Sequence, residues 1–392
     1  MTETKTLLNR PAVATASRVQ SVDILRGLII VLMAIDHVRV YSGIPAGGPS
    51  PGIFFTRWVT NFSAPGFAFF AGTSAFLYFS KTGNKAGLSR FLLSRGILLV
   101  LLELTVIRFF WMFNFDFAHF ILAGVIWMLG WCMVILSAFV WLRPRTVGII
   151  GLIIIFAQQI FHYVPKIFPE SIRPSVGRVW EFFYPSGLEG MPGISILYVL
   201  IPWIGVMMSG YAFGQLVTAG RENLKKICSW IGISAIVVYI IAGILIIIFG
   251  APYNGEMPFF FRLLAQQKYP ASQLFLLMTL GPLILLMPWA EQARGWFAEA
   301  LKIFGRVPLF FYLLHILLIH ISALVVNLIL SGNPHQDWYA AAPFVEVPPE
   351  QRWNLPLLYL VYAIDMIILY FACYRYAAYK FRHPEKKWLR YI

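Results

Sequence analysis

Ten long apolar runs leave this chain only one kind of environment in which to fold. They cover residues 24–42, 55–79, 91–112, 120–141, 146–164, 194–217, 227–250, 271–289, 308–330 and 355–374. Each is long enough to cross about 30 Å of hydrocarbon as a helix rising about 1.5 Å per residue. In hydrocarbon a backbone N–H or C=O has no water to bond, so a spanning segment must pair its own polar groups, and a helix does so. The fold expected is all-α: a polytopic integral membrane helical bundle of about ten transmembrane helices. The composition agrees. Of 392 residues, 59% are apolar and 12% charged, against roughly 45–50% and 25% in a soluble domain. A soluble globular enzyme and a disordered chain are both excluded.

The formal charge is +14, from 31 Lys and Arg against 17 Asp and Glu. In a soluble protein such an excess points to nucleic acid; here its distribution among the loops gives orientation. Alternate loops and the C-terminal tail hold 21 cations, among them Arg18, Lys81, Lys85, Arg90, Arg95, Arg143, Arg145, Lys225, Lys226, Arg306, Lys386 and Lys387. The opposite loops hold seven: Arg57, Lys166, Arg173, Arg178, Arg262, Lys268 and Arg352. Cation-rich loops stay in the cytoplasm, so both termini are expected there, as an even number of spans requires. The first 22 residues are polar, without a small-residue cleavage pattern, so the first apolar run reads as a retained helix. The organisation expected is a cytoplasmic segment 1–22, a transmembrane domain 23–375 and a basic cytoplasmic tail 376–392. The longest outer loops, 165–193 and 331–354, are rich in Pro, Gly and aromatics and are placed to cap a cavity. Cys132, Cys228 and Cys373 lie in or beside apolar runs and read as packing residues. Aromatics near span ends read as an interfacial belt. Membrane lipid is the expected surrounding partner, and no nucleic acid is expected.

Charges inside a span face protein or a watery cavity and mark function. At about 100° per residue, Asp23, Arg26, Gly27, Ile30, Met33, His37 and Tyr41 share one broad stripe of the first helix. Arg26 and His37 are nearly eclipsed, about 16 Å apart along the axis. Asp23 and Arg26 suit either an (i, i+3) ion pair at the interface or a ligand contact. His37 is a proton acceptor in a region of low dielectric. Asp36 lies about 100° round the helix from it, so the partner of the imidazole can instead come from another helix. Further candidates are Arg57 and Asn61 one turn apart, Glu103, Arg108, Asp116, Tyr312 and His315 on one face, and Asp365. Each alone reads as a helix-to-helix hydrogen bond; together they imply a polar cavity towards the outer half. Small residues from Gly66 to Ala75 read as a close-packing face. The sequence has no His-x-x-x-His, Glu-x-x-His or paired Cys, and no metal is expected.

The stretch from Ser21-Val22-Asp23-Ile24-Leu25-Arg26-Gly27 to Ala34-Ile35-Asp36-His37 resembles the start of the transmembrane acyltransferases. It is most similar to bacterial relatives of the heparan-α-glucosaminide N-acetyltransferase catalytic domain. Matching blocks follow in order: Thr56-Arg57-Trp58 to Ala75, Ile201-Pro202-Trp203 to Gly214, Lys268-Tyr269-Pro270 to Pro282, and Phe304-Gly305-Arg306 to His315. The resemblance implies a multi-pass enzyme of a bacterial-type inner (plasma) membrane. It would take acetyl from cytoplasmic acetyl-CoA and pass it to an amino sugar or other glycan acceptor on the outer side. His37 matches the superfamily's His, fourteen residues after the Asp of D-x-x-R-G. The lysosomal enzyme has Asn at that place and its catalytic His in the loop that follows; residues 42–56 here contain none, which assigns the base to His37. The roles implied are catalytic for His37 and Asp36, and donor-binding for Asp23 and Arg26. Acceptor-binding falls to Arg57, Asn61, Arg108, Asp116, Tyr312, His315 and Asp365. A multi-span transporter or flippase for a sugar or lipid-linked sugar explains the spans and charges equally well, but not the ordered blocks.

Overall fold

The computed structural model describes residues 19–187, 192–218, 220–334, 338 and 347–392, with backbone alone at 221 and 222. Of the segment expected at 1–22, residues 1–18 lie outside this range, as do 188–191, 335–337 and 339–346 of the two loops expected to cap a cavity.

The described chain is mostly helical. Helix α1 (Gln20–Ser42) precedes an unbroken run of α2 (Pro51–Trp58), a 3-10 turn (Val59–Phe62) and α3 (Ser63–Thr82). Helix α4 (Lys85–Leu102) continues through a π-turn (Glu103–Ile107) into α5 (Arg108–Met112). Strand β1 (Ile121–Ala123) leads into α6 (Val125–Phe139), then α7 (Pro144–Phe156) with a 3-10 extension (Gln158–Ile167), and α8 (Arg173–Trp180). Strand β2 (Ile194–Ile196) precedes α9 (Trp203–Val217), α10 (Arg221–Phe249) and α11 (Phe259–Leu264). The last helices are α12 (Gln273–Gln292), α13 (Trp296–Arg306), α14 (Pro308–Ser331) and α15 (Leu355–Arg382). Asn84, Ser272 and Asn354 start α4, α12 and α15 by accepting a hydrogen bond from the N–H three residues on, which satisfies an orphan donor of the first turn.

All ten apolar runs contain helix, but they differ in length. Five described helical stretches are long and apolar enough to cross a membrane: Pro51–Thr82, Asn223–Phe249, Gln273–Gln292, Pro308–Ser331 and Leu355–Arg382. A sixth is reached if α7 and its 3-10 extension, bent by 74°, count as one span. The runs at 120–141 and 194–217 are not helical from end to end. β1 and β2 pair in parallel there, Leu122 opposite Ser195, so that α6 and α9 are 15 residues each. Strand pairing satisfies the backbone where the helix stops. At the far end α15 runs past residue 375 to Arg382, so the basic tail begins as helix.

Helix α1 is the hub, in contact with α2, α3, α12, α13, α14 and α15. It approaches α13 until backbones meet. A Cβ at Gly27 would lie 1.9 Å from the Leu301 carbonyl oxygen, and one at Gly305 would lie 1.8 Å from that of Asp23. Helix α3 packs on α9 in the same way, a Cβ at Gly72 falling 1.9 Å from the Met207 carbonyl oxygen. Small residues let helices in lipid pack this closely, where there is no hydrophobic force to bring them together. Gly72→Val forces α3 and α9 apart and should cost on the order of 1–3 kcal/mol. The expected result is a lowered unfolding temperature in detergent; an unchanged temperature contradicts the contact.

Candidate functional site

His37 and His315 meet between α1 and α14, with His37 Nδ1 2.6 Å from His315 Nε2, ring centroids 4.9 Å apart and ring planes within 22° of each other. The protons can be assigned from the partners. His315 Nδ1 lies 2.6 Å from the carbonyl oxygen of Tyr312 and 3.1 Å from that of Phe311. A carbonyl only accepts, so Nδ1 carries the hydrogen and, in a neutral imidazole, Nε2 carries a lone pair. His37 Nδ1–H therefore donates to His315 Nε2, and the lone pair of His37 is on Nε2. Trp111 and Tyr312 meet the His37 ring edge-on at 5.1 and 6.3 Å. His315 is fully buried, whereas His37 is half-buried.

A cavity of about 190 Å³ is lined by Arg26, Ser74, Tyr78, Arg95, Leu309 and Tyr312 among others. It reaches from Arg26 to Tyr312, whose ring meets His37. Arg26 Nη2 donates to Phe70 O at 2.8 Å and to Ser74 Oγ at 2.6 Å. Arg95 Nη1 donates to the Arg390 carbonyl at 2.9 Å, which brings the C-terminal tail to the same place. A second cavity, about 520 Å³ and lined by groups such as Leu104, Trp127, Trp131 and Phe182, has no titratable side chain in its wall. It offers nothing for proton transfer.

A cationic cluster gathers around Asp36, the chain neighbour of His37. Asp36 Oδ1 accepts from Arg39 Nε at 2.8 Å, and Arg57 Nε is 3.5 Å away. Arg57 Nη1 donates to Thr60 Oγ1 at 2.7 Å and to Asn61 Oδ1 at 3.2 Å. The Lys268 ammonium lies over the rings of Tyr198 and Tyr269, at 5.8 and 5.2 Å. Burial, with Arg57 nearby, holds that ammonium below its ordinary range. Asp36 is thus bound by arginines, and the ring nitrogen of His37 is held by another helix.

The other candidates have separate partners. Arg108 is buried and donates to the carbonyls of Phe120, Asn114 and Asp116, which fastens the loop after α5. Asp116 is exposed there, and its bond from His119 Nδ1, 2.8 Å long, holds its carboxyl below the usual range. Asp365 accepts from Ser322 Oγ at 2.7 Å between α15 and α14. Asp23 is buried where α1 meets Gly305. Arg95, Trp111, Tyr198, Lys268 and Tyr269 were not singled out as site residues by the sequence. Arg95 reads there as one loop cation among many, and the one signal for the cluster was the Lys268-Tyr269-Pro270 block.

A family model described as heparan-alpha-glucosaminide N-acetyltransferase, catalytic, matches residues 18–248, more than half of the chain. The matched part contains Arg26, His37, Arg57 and Arg95; Lys268, Tyr312 and His315 follow it. No curated protein matches the chain.

The π-turn holds the start of α6. Glu103 is buried and its Oε2 accepts from Ile126 N–H at 3.1 Å, so its carboxylate fills the N-terminus of α6. Gly124 makes room, since a Cβ there would lie 2.3 Å from Glu103 Oε1. Glu103→Ala leaves buried N–H groups without an acceptor, at roughly 1–3 kcal/mol. The expected outcome is a lower unfolding temperature in detergent, with Glu103→Gln in between.

Proposed function

The chain belongs to the heparan-α-glucosaminide N-acetyltransferase catalytic family, and we propose that it is a membrane-embedded acetyltransferase with His37 as general base. The observation that carries this reading is the position of the His37 imidazole. Its Nδ1 is held by His315, which leaves the lone pair on Nε2, and the Tyr312 ring that meets the imidazole edge-on lines a cavity bearing two arginines.

The donor is acetyl-CoA, taken as a substrate from the cytoplasmic side. The cavity of about 190 Å³ is walled mostly by apolar side chains between Arg26 and Tyr312, which suits the slender arm of the donor. Arg26 and Arg95 would hold phosphate oxygens by charge-assisted bonds, with the thioester directed to Tyr312. The acceptor, an amino sugar or other glycan on the outer side, would lie against Arg57 and Asn61. His37 Nε2 takes the proton of the acceptor amine or hydroxyl as that group attacks the thioester carbonyl. The new C–N or C–O bond forms, the C–S bond breaks, and the same proton passes from His37 to the leaving thiolate. Tyr312 and Asn61 are the available donors to the developing oxyanion. We assign Arg108, Asp116 and Asp365 to the framework, because their partners are the loop after α5 and Ser322.

Purified His37→Ala should lose acetyl transfer by roughly 10²–10⁴-fold while still binding acetyl-CoA; full retained transfer overturns the assignment. Arg26→Ala and Arg95→Ala should each raise the donor KM by roughly tenfold or more, the loss of a charge-assisted bond. Mass spectrometry of surface glycans with and without the protein should reveal a missing acetyl mass and so identify the acceptor. A protein that moves a sugar across vesicles without binding acetyl-CoA is a transporter instead.

A further inference from the structure

We propose that His315 is a positioning residue for the base: it holds His37 in the tautomer that leaves Nε2 free, and it shares the charge that His37 gains. This rests on the reading of His37 as base, and it gives His315 a role other than contact with the acceptor. Both ring nitrogens of His315 are engaged within the protein, Nδ1 by the carbonyls of its own helix and Nε2 by His37. The side chain is fully buried, so an acceptor sugar reaches His37 and not His315. The backbone bonds of His315 are independent of substrate. They fix the tautomer of His315, and through it that of His37, before either substrate arrives. Phe311, stacked on His315 at 5.1 Å, fixes the plane of the ring.

A carboxylate is the usual orienting partner of a catalytic imidazole. The nearest one in sequence, Asp36, is bound by Arg39 and Arg57. A neutral imidazole performs the same two tasks without adding a charge to an apolar interior. Before transfer it accepts from His37 Nδ1–H. When His37 Nε2 takes the acceptor proton, that bond becomes charge-assisted, and the Nδ1 proton can move towards His315 Nε2, which spreads the positive charge over two rings. The proton taken at Nε2 returns to the thiolate, the Nδ1 proton stays between the rings, and the pair ends as it began.

The test is a series at one position. Gln places a side-chain oxygen near the site of Nε2 and so can still accept from His37. Asn keeps a donor to the Tyr312 carbonyl but does not reach His37, and Leu does neither. His315→Leu and His315→Asn should lower kcat by roughly 10²-fold or more, with both KM values within about threefold of the parent, the signature of a lost transition-state interaction. His315→Gln should retain kcat within about tenfold. Three results overturn the proposal: a parental kcat in His315→Leu, a raised acceptor KM with kcat unchanged, or Asn performing as well as Gln. Unfolding temperature is measured in parallel, and the comparison of Gln with Asn decides if Leu fails to fold. The outcome is separable from the assignment of the base: transfer that survives His37→Ala overturns the base, whereas transfer that needs His37 but not His315 overturns only this inference.

Discussion

At Gly27 and Gly305 helices α1 and α13 approach until side-chain-free backbone meets backbone, with less than 2 Å left for a Cβ on either side. Contact this close admits little sliding, so α13 has one register on α1. Helix α14 starts at Pro308, after Val307 alone, and its first turns are therefore delivered to a set height beside α1. That height brings Tyr312 and His315 to His37. The cavity lined by Arg26 and Tyr312 is tied to the same contact, since Arg26 is the neighbour of Gly27.

Polar groups in the bundle are stabilised by specific partners, as a low-dielectric interior demands. Glu103 is bound by the N–H groups that open α6, Arg108 by loop carbonyls, and Asp36 by two guanidinium groups. These arrangements use fixed donors and acceptors and leave the groups nothing to exchange with a substrate. His37 differs. One ring nitrogen is held by His315, and the other keeps its lone pair on a half-buried ring. On the proposed function this combination is what a general base needs, an oriented ring with one nitrogen left to accept a proton.

Much of the architecture is legible in the residues. Each long apolar run contains helix, because hydrocarbon leaves an unpaired segment no other way to bond its backbone. The stripe from Asp23 to Tyr41 on α1 is a consequence of helical period, and it named Arg26 and His37 without a structure. Gly72 was recognisable among small residues as a packing position. The two short strands were not legible, because β1 and β2 begin apolar runs and pair across more than seventy residues. Arg95 and Lys268 were hidden for a different reason: among 31 cations one that lines a cavity or lies over aromatic rings looks like one that sets topology.

Periodicity and composition by themselves determined that the chain is an apolar helical bundle and that Asp23, Arg26 and His37 share one stripe of its first helix. Only the tertiary structure decided that Asp36 belongs to arginines and that His315 belongs to His37. The second of these pairings joins residues 278 positions apart. A sequence specifies the faces of its helices through local geometry, but which face meets which is set by backbone contacts at positions such as Gly27 and Gly305, where what matters is the absence of a side chain.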